Sequence, residues 1–200
     1  MDVKQAAQIA KEAYGNTEFN IKDNILSFAG SDDIIDWIKD IEAFEIREFK
    51  EYPGLVHAGF ATDLDALWPK IQLPPVGEIY IIGHSLGGAL ATLASVRLQK
   101  MGYIPIVYTF GSPRVGNYFF NKAYKIVNYR WVNKMDIVPH VPPILGGYEH
   151  VGDLNYIGID GKLEKELGEY LIDLLHYRFN TIKDHYIDNY ITSINGLGEI

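Results

Sequence analysis

The feature that most constrains the fold is a junction between two repeating patterns at residues 78–100. An apolar run typical of a buried strand ends at Ile82, and small residues in a helical pattern start at Leu86. Residues 83–87, Gly-His-Ser-Leu-Gly, fit the pattern G-x-S-x-G, in which a strand turns at once into a helix. Such a turn strains its central serine and lifts the hydroxyl above the sheet edge. Ser85 is therefore a candidate nucleophile.

The residues around Ser85 support this interpretation. A side chain two residues before or after the serine would collide with neighbouring backbone, which explains the glycines at 83 and 87. The turn also directs the backbone N–H of Leu86, at a helix N-terminus, toward the atom that the hydroxyl attacks. A Gly-rich turn of a nucleotide-binding fold is the other interpretation, but the chain lacks G-x-G-x-x-G and a P-loop lysine. Leu86 is thus a candidate oxyanion donor.

Strand and helix patterns alternate along most of the chain. This alternation predicts an α/β fold with a mostly parallel sheet, helices on both faces and a ligand site beyond the carboxyl ends of the strands. No linker or repeat interrupts it, so residues 1–200 are predicted to form a single domain. Strands are predicted at 24–31, 43–50, 79–82, 104–110 and 126–133, and helices at 3–14, 32–41, 57–71, 86–100, 117–125, 163–175 and 182–194.

The amino-acid composition excludes several classes of function. The net charge of −8 repels nucleic acid, so no nucleic-acid partner is expected, and the absence of Cys excludes thiolate catalysis and Cys-ligated zinc. No H-E-x-x-H is present, and we expect neither a metal nor an organic cofactor. No apolar run is long enough for a transmembrane segment, although contact with a lipid surface stays open. The N-terminus shows no secretory leader, which favours a cytoplasmic location; secretion by a trimmed or non-standard route stays open.

A serine needs a base, and the base needs an acid to orient it. In this kind of sheet the order along the chain is serine, acid, histidine. Asp136 is the better acid because it lies just past the end of a strand, whereas Asp153 and Asp160 lie within turns. A solvated turn residue is its alternative interpretation.

Chain order leaves four histidines as the base. His140 is expected to be a loop anchor, and His176 falls inside a predicted helix. His185 stands where a loop becomes the last helix, and it points away from the face predicted to bury Tyr186. His150, on a Gly-rich loop, remains its rival at this point.

The two earlier histidines are expected to be structural. His57 is predicted to be a packed or hydrogen-bonded structural residue. His84 is predicted to direct its side chain away from the cleft, although it adjoins Ser85.

Taken together, the motifs resemble the class 3 lipases, the α/β-hydrolase family of fungal triacylglycerol lipases and feruloyl esterases. The matching stretches occur in the family's order: SFAGS, DWIKDI, VHAGF, GHSLGGALATL, YTFGSPRVGN, DIVPHVPP, GYEHVG and DHYIDNY. The resemblance implies Ser85 as nucleophile, Asp136 as acid and His185 as base, with His150 in a supporting position. It also implies Ser31 as a second oxyanion donor; Ser31 is equally placed to be the N-cap of the following helix, and the two roles are compatible.

In the family, the segment after that serine is a movable lid. Here the helix predicted at about 32–41 places Ile34, Trp37 and Ile38 on one face. That face would cover the cleft in water and turn toward a lipid aggregate. A fixed helix packed on the core would show the same pattern, so both interpretations stay open.

The resemblance implies a serine carboxylic-ester hydrolase that cleaves acyl esters of lipids or small molecules through an acyl-enzyme. The alternatives are an acyltransferase with the same triad and a non-catalytic lipase-like signalling module. The chain is shorter than the secreted fungal enzymes and lacks their disulfides. These departures leave acyl chain length and alcohol preference open.

Overall fold

The fold was determined as a computed structural model that describes residues 1–15, 18–31, 33–41, 46–50, 52–165 and 181–198. The strands are β1 (Phe19–Lys22), β2 (Ile25–Phe28), β3 (Ile46–Glu48), β4 (Leu55–His57), β5 (Glu78–His84), β6 (Ile104–Phe110), β7 (Gly116–Asn117), β8 (Val127–Asn133), β9 (Tyr148–Glu149), β10 (Asp153–Ile157) and β11 (Leu163–Glu164). The helices are α1 (Val3–Glu12), α2 (Ile34–Ile41), α3 (Ala58–Leu67), α4 (Leu86–Lys100), α5 (Tyr118–Ala123) and α6 (Ile187–Gly196).

Within the described residues, the central sheet has the strand order β1-β2-β5-β6-β8-β10-β11. The pairs from β2 to β10 are parallel, and β1 and β11 are antiparallel strands at its two edges. Strands β3, β4, β7 and β9 form a smaller antiparallel sheet. The predicted mostly parallel α/β sheet is confirmed.

Both faces of the central sheet are covered by helices, because its strands carry apolar side chains on both sides. In β5, Ile79 and Ile81 belong to the core cluster that contains the buried residues of α3 and α4. Ile82 points to the opposite face, where α1 and α6 pack. The buried alanines of α1 let that helix approach the sheet closely. This double-sided core places the carboxyl ends of β5, β6 and β8 along one edge.

One predicted helix is wrong at its start. Leu163, predicted as helical, lies in β11 and pairs with Ile157 of β10. The turn at Asp160-Gly161, where Gly161 has a φ of 77°, folds the chain back into a hairpin. Residues 166–175 of that predicted helix and His176 lie outside the described residues, as does residue 32 at the start of the predicted lid.

Candidate active site

Ser85 lies between the end of β5 and the start of α4. Its backbone has φ 58° and ψ −130°, a conformation that side-chain-bearing residues rarely adopt. A Cβ added at Gly83 would lie 2.0 Å from the carbonyl oxygen of Gly87, and one at Gly87 would lie 2.3 Å from that of Phe28. The turn therefore requires both glycines. It places the Leu86 N–H at the first position of α4, where a helix supplies no internal acceptor.

Asp136 follows β8 in a loop and is fully buried. Its carboxylate accepts hydrogen bonds from the Tyr190 hydroxyl (2.6 Å) and the Val138 N–H (2.9 Å). Burial alone would raise the pKa of this carboxyl, but the neighbouring His185 ring and the hydrogen bonds outweigh it, and the pKa lies below its ordinary value. Asp136 is therefore ionised at neutral pH.

His185 lies in a short 3₁₀ turn, Lys183–His185, directly before α6. Its Nδ1 lies 3.0 and 2.9 Å from the two carboxylate oxygens of Asp136. The Thr181 N–H donates to the carbonyl of Met135, which ties the start of this segment to the loop that carries the carboxylate. Because a carboxylate only accepts, the Nδ1 proton is directed at Asp136 and Nε2 is left with its lone pair.

Two side-chain atoms at this edge, on Ser85 and His185, are buried and have no hydrogen-bond partner in the described part of the chain. Ser85 and His185 are 1% and 2% exposed, and neither Oγ of the serine nor Nε2 of the histidine is hydrogen-bonded. Buried polar groups are usually paired, so these two atoms, on residues linked through the contact between His84 and His185, are candidates for a function. The absence of a hydrogen bond at these two atoms is compatible with catalysis, because catalytic hydrogen bonds are often long until substrate binds.

A cavity of about 220 Å³ opens beside His185. Ser31, which follows β2, and Ile34 of α2 form part of its wall, so two of the predicted site residues share the cavity with His185. Tyr186 also lines it and is 56% exposed, contrary to the prediction that this side chain is buried. The remaining lining residues are Tyr14, His84 and Ile187.

Two further expectations are wrong. His84 does not point away from the cleft: it lines the cavity, and its ring stacks on that of His185 with centroids 4.5 Å apart. Ser31 does not cap α2. The Asp33 carboxylate accepts the Asp36 N–H (3.2 Å), while the Ser31 hydroxyl donates to the Asp33 carbonyl (3.3 Å). Asp33 is one residue closer to Ile34, where the helix begins.

Helix α2 carries the three residues predicted to face the site. Ile34 is buried in the cavity wall, whereas Trp37 stacks on Phe60 of α3 with ring centroids 6.2 Å apart. Ile38 is half-buried, and Ile35, on the outer side, is 53% exposed. The apolar face thus contacts the core in this conformation.

The other described histidines occupy different environments. His150 is buried, and its Nε2 donates to the Pro139 carbonyl (2.7 Å). Burial, together with the charges of Arg130 and Arg114, lowers the pKa of His150 well below its ordinary value. His57 packs against Phe60, as predicted, with ring centroids 4.5 Å apart.

Sequence reasoning missed three residues at this site. The sequence patterns place Tyr190 and Tyr14 only within the predicted helices at 182–194 and 3–14. The third is Gly111, where an added Cβ would lie 2.7 Å from a carboxylate oxygen of Asp136 and 2.9 Å from Nδ1 of His185. A glycine directly after the strand next to β5 is a signal that could have identified it.

Comparisons of the sequence and of the fold with known proteins both find lipases. The family model described as lipase (class 3) matches residues 25–146. A secreted mono- and diacylglycerol lipase of Fusarium solani is 33% identical over 166 residues, which cover 77% of this chain and 49% of that protein. Lipase II from Rhizopus niveus superposes with a TM-score of 0.66 at 28% identity, covering 82% of this chain and 70% of that structure.

A third match is the structure of a triacylglycerol lipase whose catalytic centre is described as a serine protease triad. It gives a TM-score of 0.67 at 29% identity and covers 80% of this chain and 69% of that structure. The chain spans about half the length of its Fusarium relative. That relative is named as secreted, so the expected cytoplasmic location receives no support. Among the described residues, no helix has the length and apolar character needed to cross a membrane.

Proposed function

Because the chain belongs to the class 3 lipase family, we propose that it is a serine carboxylic-ester hydrolase acting on acyl esters of lipids. The observation that carries the proposal is the pair of unpartnered buried atoms, Oγ of Ser85 and Nε2 of His185, with the imidazole held by Asp136 on its other nitrogen. We infer that these three residues form the catalytic triad. Residues 1–200 are proposed to act as one domain.

In the proposed reaction, Nε2 of His185 takes the proton of the Ser85 hydroxyl as the oxygen attacks the ester carbonyl. Asp136 stabilises the imidazolium that forms. The carbonyl oxygen gains negative charge, and the N–H of Leu86 together with Ser31 is proposed to stabilise it. His185 then protonates the leaving alcohol. Water, activated by the same imidazole, attacks the acyl-enzyme and releases the acid. No residue in this sequence of steps needs a cofactor.

Helix α2 is proposed as the lid of this site. The support is its position: Ile34 forms part of the cavity wall, while Trp37 contacts α3 through Phe60. Turning this helix outward would open the cavity and present its apolar face to a lipid surface. Transient contact with a lipid interface would follow, without a membrane-spanning segment.

Hydrolysis of esters with increasing acyl chain length, below and above the aggregation threshold of each substrate, tests this proposal. Measurable turnover of a p-nitrophenyl ester that disappears in Ser85→Ala is the expected result. A jump in rate at the aggregation threshold is expected if α2 is a lid, and its absence would support a fixed helix. If Ser85→Ala hydrolyses the ester at the wild-type rate, Ser85 is not the nucleophile. Product analysis with an added alcohol separates hydrolysis from acyl transfer.

A further inference from the structure

His84 is held by contacts on both ring nitrogens and on one ring face. Its Nε2 lies 2.6 Å from the backbone carbonyl oxygen of His185, and its Nδ1 lies 2.6 Å from the Tyr14 hydroxyl. The ring stacks on the imidazole of His185 at 4.5 Å with an interplanar angle of 29°. The residue directly before the proposed nucleophile thus contacts both the backbone and the ring of the proposed base.

These contacts define one tautomer of His84. The His185 carbonyl can only accept, so Nε2 of His84 carries the proton. A neutral imidazole has one N–H, so Nδ1 accepts and the Tyr14 O–H donates. Burial, followed by the neighbouring His185 ring, lowers the pKa of His84 to about 3, which keeps it neutral at physiological pH.

The Tyr14 hydroxyl packs closely against the backbone of Gly30. Tyr14 lies in the short turn that ends α1, and a Cβ added at Gly30 would lie 2.0 Å from its hydroxyl oxygen. Only glycine at position 30 leaves this space. Three segments, after α1, after β2 and at the end of β5, therefore meet at one hydrogen bond between Tyr14 and His84.

We propose that His84, held by the His185 carbonyl at Nε2 and by the Tyr14 hydroxyl at Nδ1, is a positioning residue for His185. This proposal rests on the proposed function, in which His185 is the base. Asp136 fixes Nδ1 of that base, while His84 fixes its backbone carbonyl and one face of its ring. Other titratable groups packed around this pair are Tyr14 and Tyr190, whose ring lies 5.8 Å from that of His84. In the other tautomer, the lone pair of His84 Nε2 would face the carbonyl lone pairs and push the backbone of His185 away.

Tyr14→Phe removes the donor and keeps the ring. We expect kcat to fall about five- to tenfold, the effect of losing one neutral hydrogen bond, with KM changed less than about twofold. Tyr103→Phe is the matched control, because the Tyr103 hydroxyl donates to the backbone carbonyl of Pro74. The control should keep kcat. Equal kcat in wild type and Tyr14→Phe, measured on folded proteins, would overturn the positioning role.

Nitrogen-15 NMR of the histidine side chains tests the tautomer without using activity. In the wild type we expect His84 as the neutral Nε2–H form at pH about 7, and in Tyr14→Phe the same tautomer with a shifted Nδ1 resonance, because Nδ1 no longer accepts from the Tyr14 hydroxyl. A wild-type His84 that is charged, or that carries its proton on Nδ1, would overturn the proposal. Failure of the proposed function would look different, since wild-type protein would then hydrolyse no ester while the NMR result could still be obtained.

Discussion

The surroundings of His185 and of His150 make an instructive comparison, because both rings are buried and both donate one hydrogen bond. His185 donates from Nδ1 to an ionised carboxylate, and its Nε2 is unpartnered in the described structure. His150 donates from Nε2 to a neutral backbone carbonyl, and two arginines lie near it. A general base needs a negative partner and a nitrogen that can take a proton. Burial alone does not distinguish the two rings; the charge beside each ring does.

The largest expected difference between the two regions is in turnover. His185→Ala should lower kcat on a short p-nitrophenyl ester on the order of 10⁶-fold, as loss of a triad base does elsewhere. His150→Ala should keep kcat within about threefold, provided the variant is folded by circular dichroism. If His150→Ala is the inactive variant and His185→Ala is active, the assignment of the base is wrong.

The second-largest change in kcat is expected on substitution of Asp136, the negatively charged partner of His185. Asp136→Asn keeps the shape of the side chain but removes its charge, so the imidazolium loses its stabilisation and the wrong tautomer becomes favoured. A fall in kcat on the order of 10⁴-fold is expected. Asp153→Asn, at an exposed carboxylate on β10, serves as the control and should retain wild-type turnover. A loss below tenfold in Asp136→Asn would mean that the carboxylate does not orient the base.

Substitution of His150 is expected to lower the stability of the fold rather than the turnover. His150→Ala leaves the buried carbonyl of Pro139 without its donor and opens a space in the core. Destabilisation of about 2–3 kcal/mol is expected, or a fall in Tm of roughly 5–10 °C for a chain of this size. Differential scanning calorimetry measures it. An unchanged Tm would show that the ring contributes nothing to the packing.

The last expected effect is on the pH dependence of stability, and it is the smallest when counted per pH unit. The folded-state pKa values of His84 and His150 lie below the unfolded value, near 6.5, so the unfolded chain takes up the additional protons. The free energy of unfolding that the two neutral imidazoles contribute is fully present above pH about 6.5 and is lost as the pH falls. For His84 the loss continues down to pH about 3. Each buried imidazole should add about 1 kcal/mol per pH unit to the slope.

Denaturant unfolding at pH values from 7 to 4.5 measures that slope. His150→Ala should show about half of the wild-type contribution, because one of the two neutral imidazoles is gone. A slope unchanged by the substitution would indicate that His150 is protonated in the folded state. The depressed pKa of Asp136 acts in the same direction but only below pH about 4, outside this window.

Much of the fold follows from local patterns. The apolar run of β5 and the small residues of α4 predict the strand, the helix and the turn between them, because each element has its own period. Leu163 was misassigned, since a short hairpin strand and the start of an amphipathic helix look alike over a few residues. Only the pairing with β10 decides between them.

The site was only partly predictable for a related reason. Chain order and strand ends favoured Asp136, but periodicity left His185 and His150 as rivals. Nothing in the local sequence indicates that Tyr14 contacts His84, 70 residues later, because that contact depends on how α1 packs on the sheet. Residues that position a site through long-range contacts have no local pattern of their own.

Labelling with a fluorophosphonate, followed by peptide mapping by mass spectrometry, tests the central claim most directly. The account predicts one phosphonyl group on Ser85 in the wild type, labelling at close to the wild-type rate in His150→Ala, and almost none in His185→Ala. Labelling of another residue, or labelling of Ser85 that depends on His150 and not on His185, would contradict it.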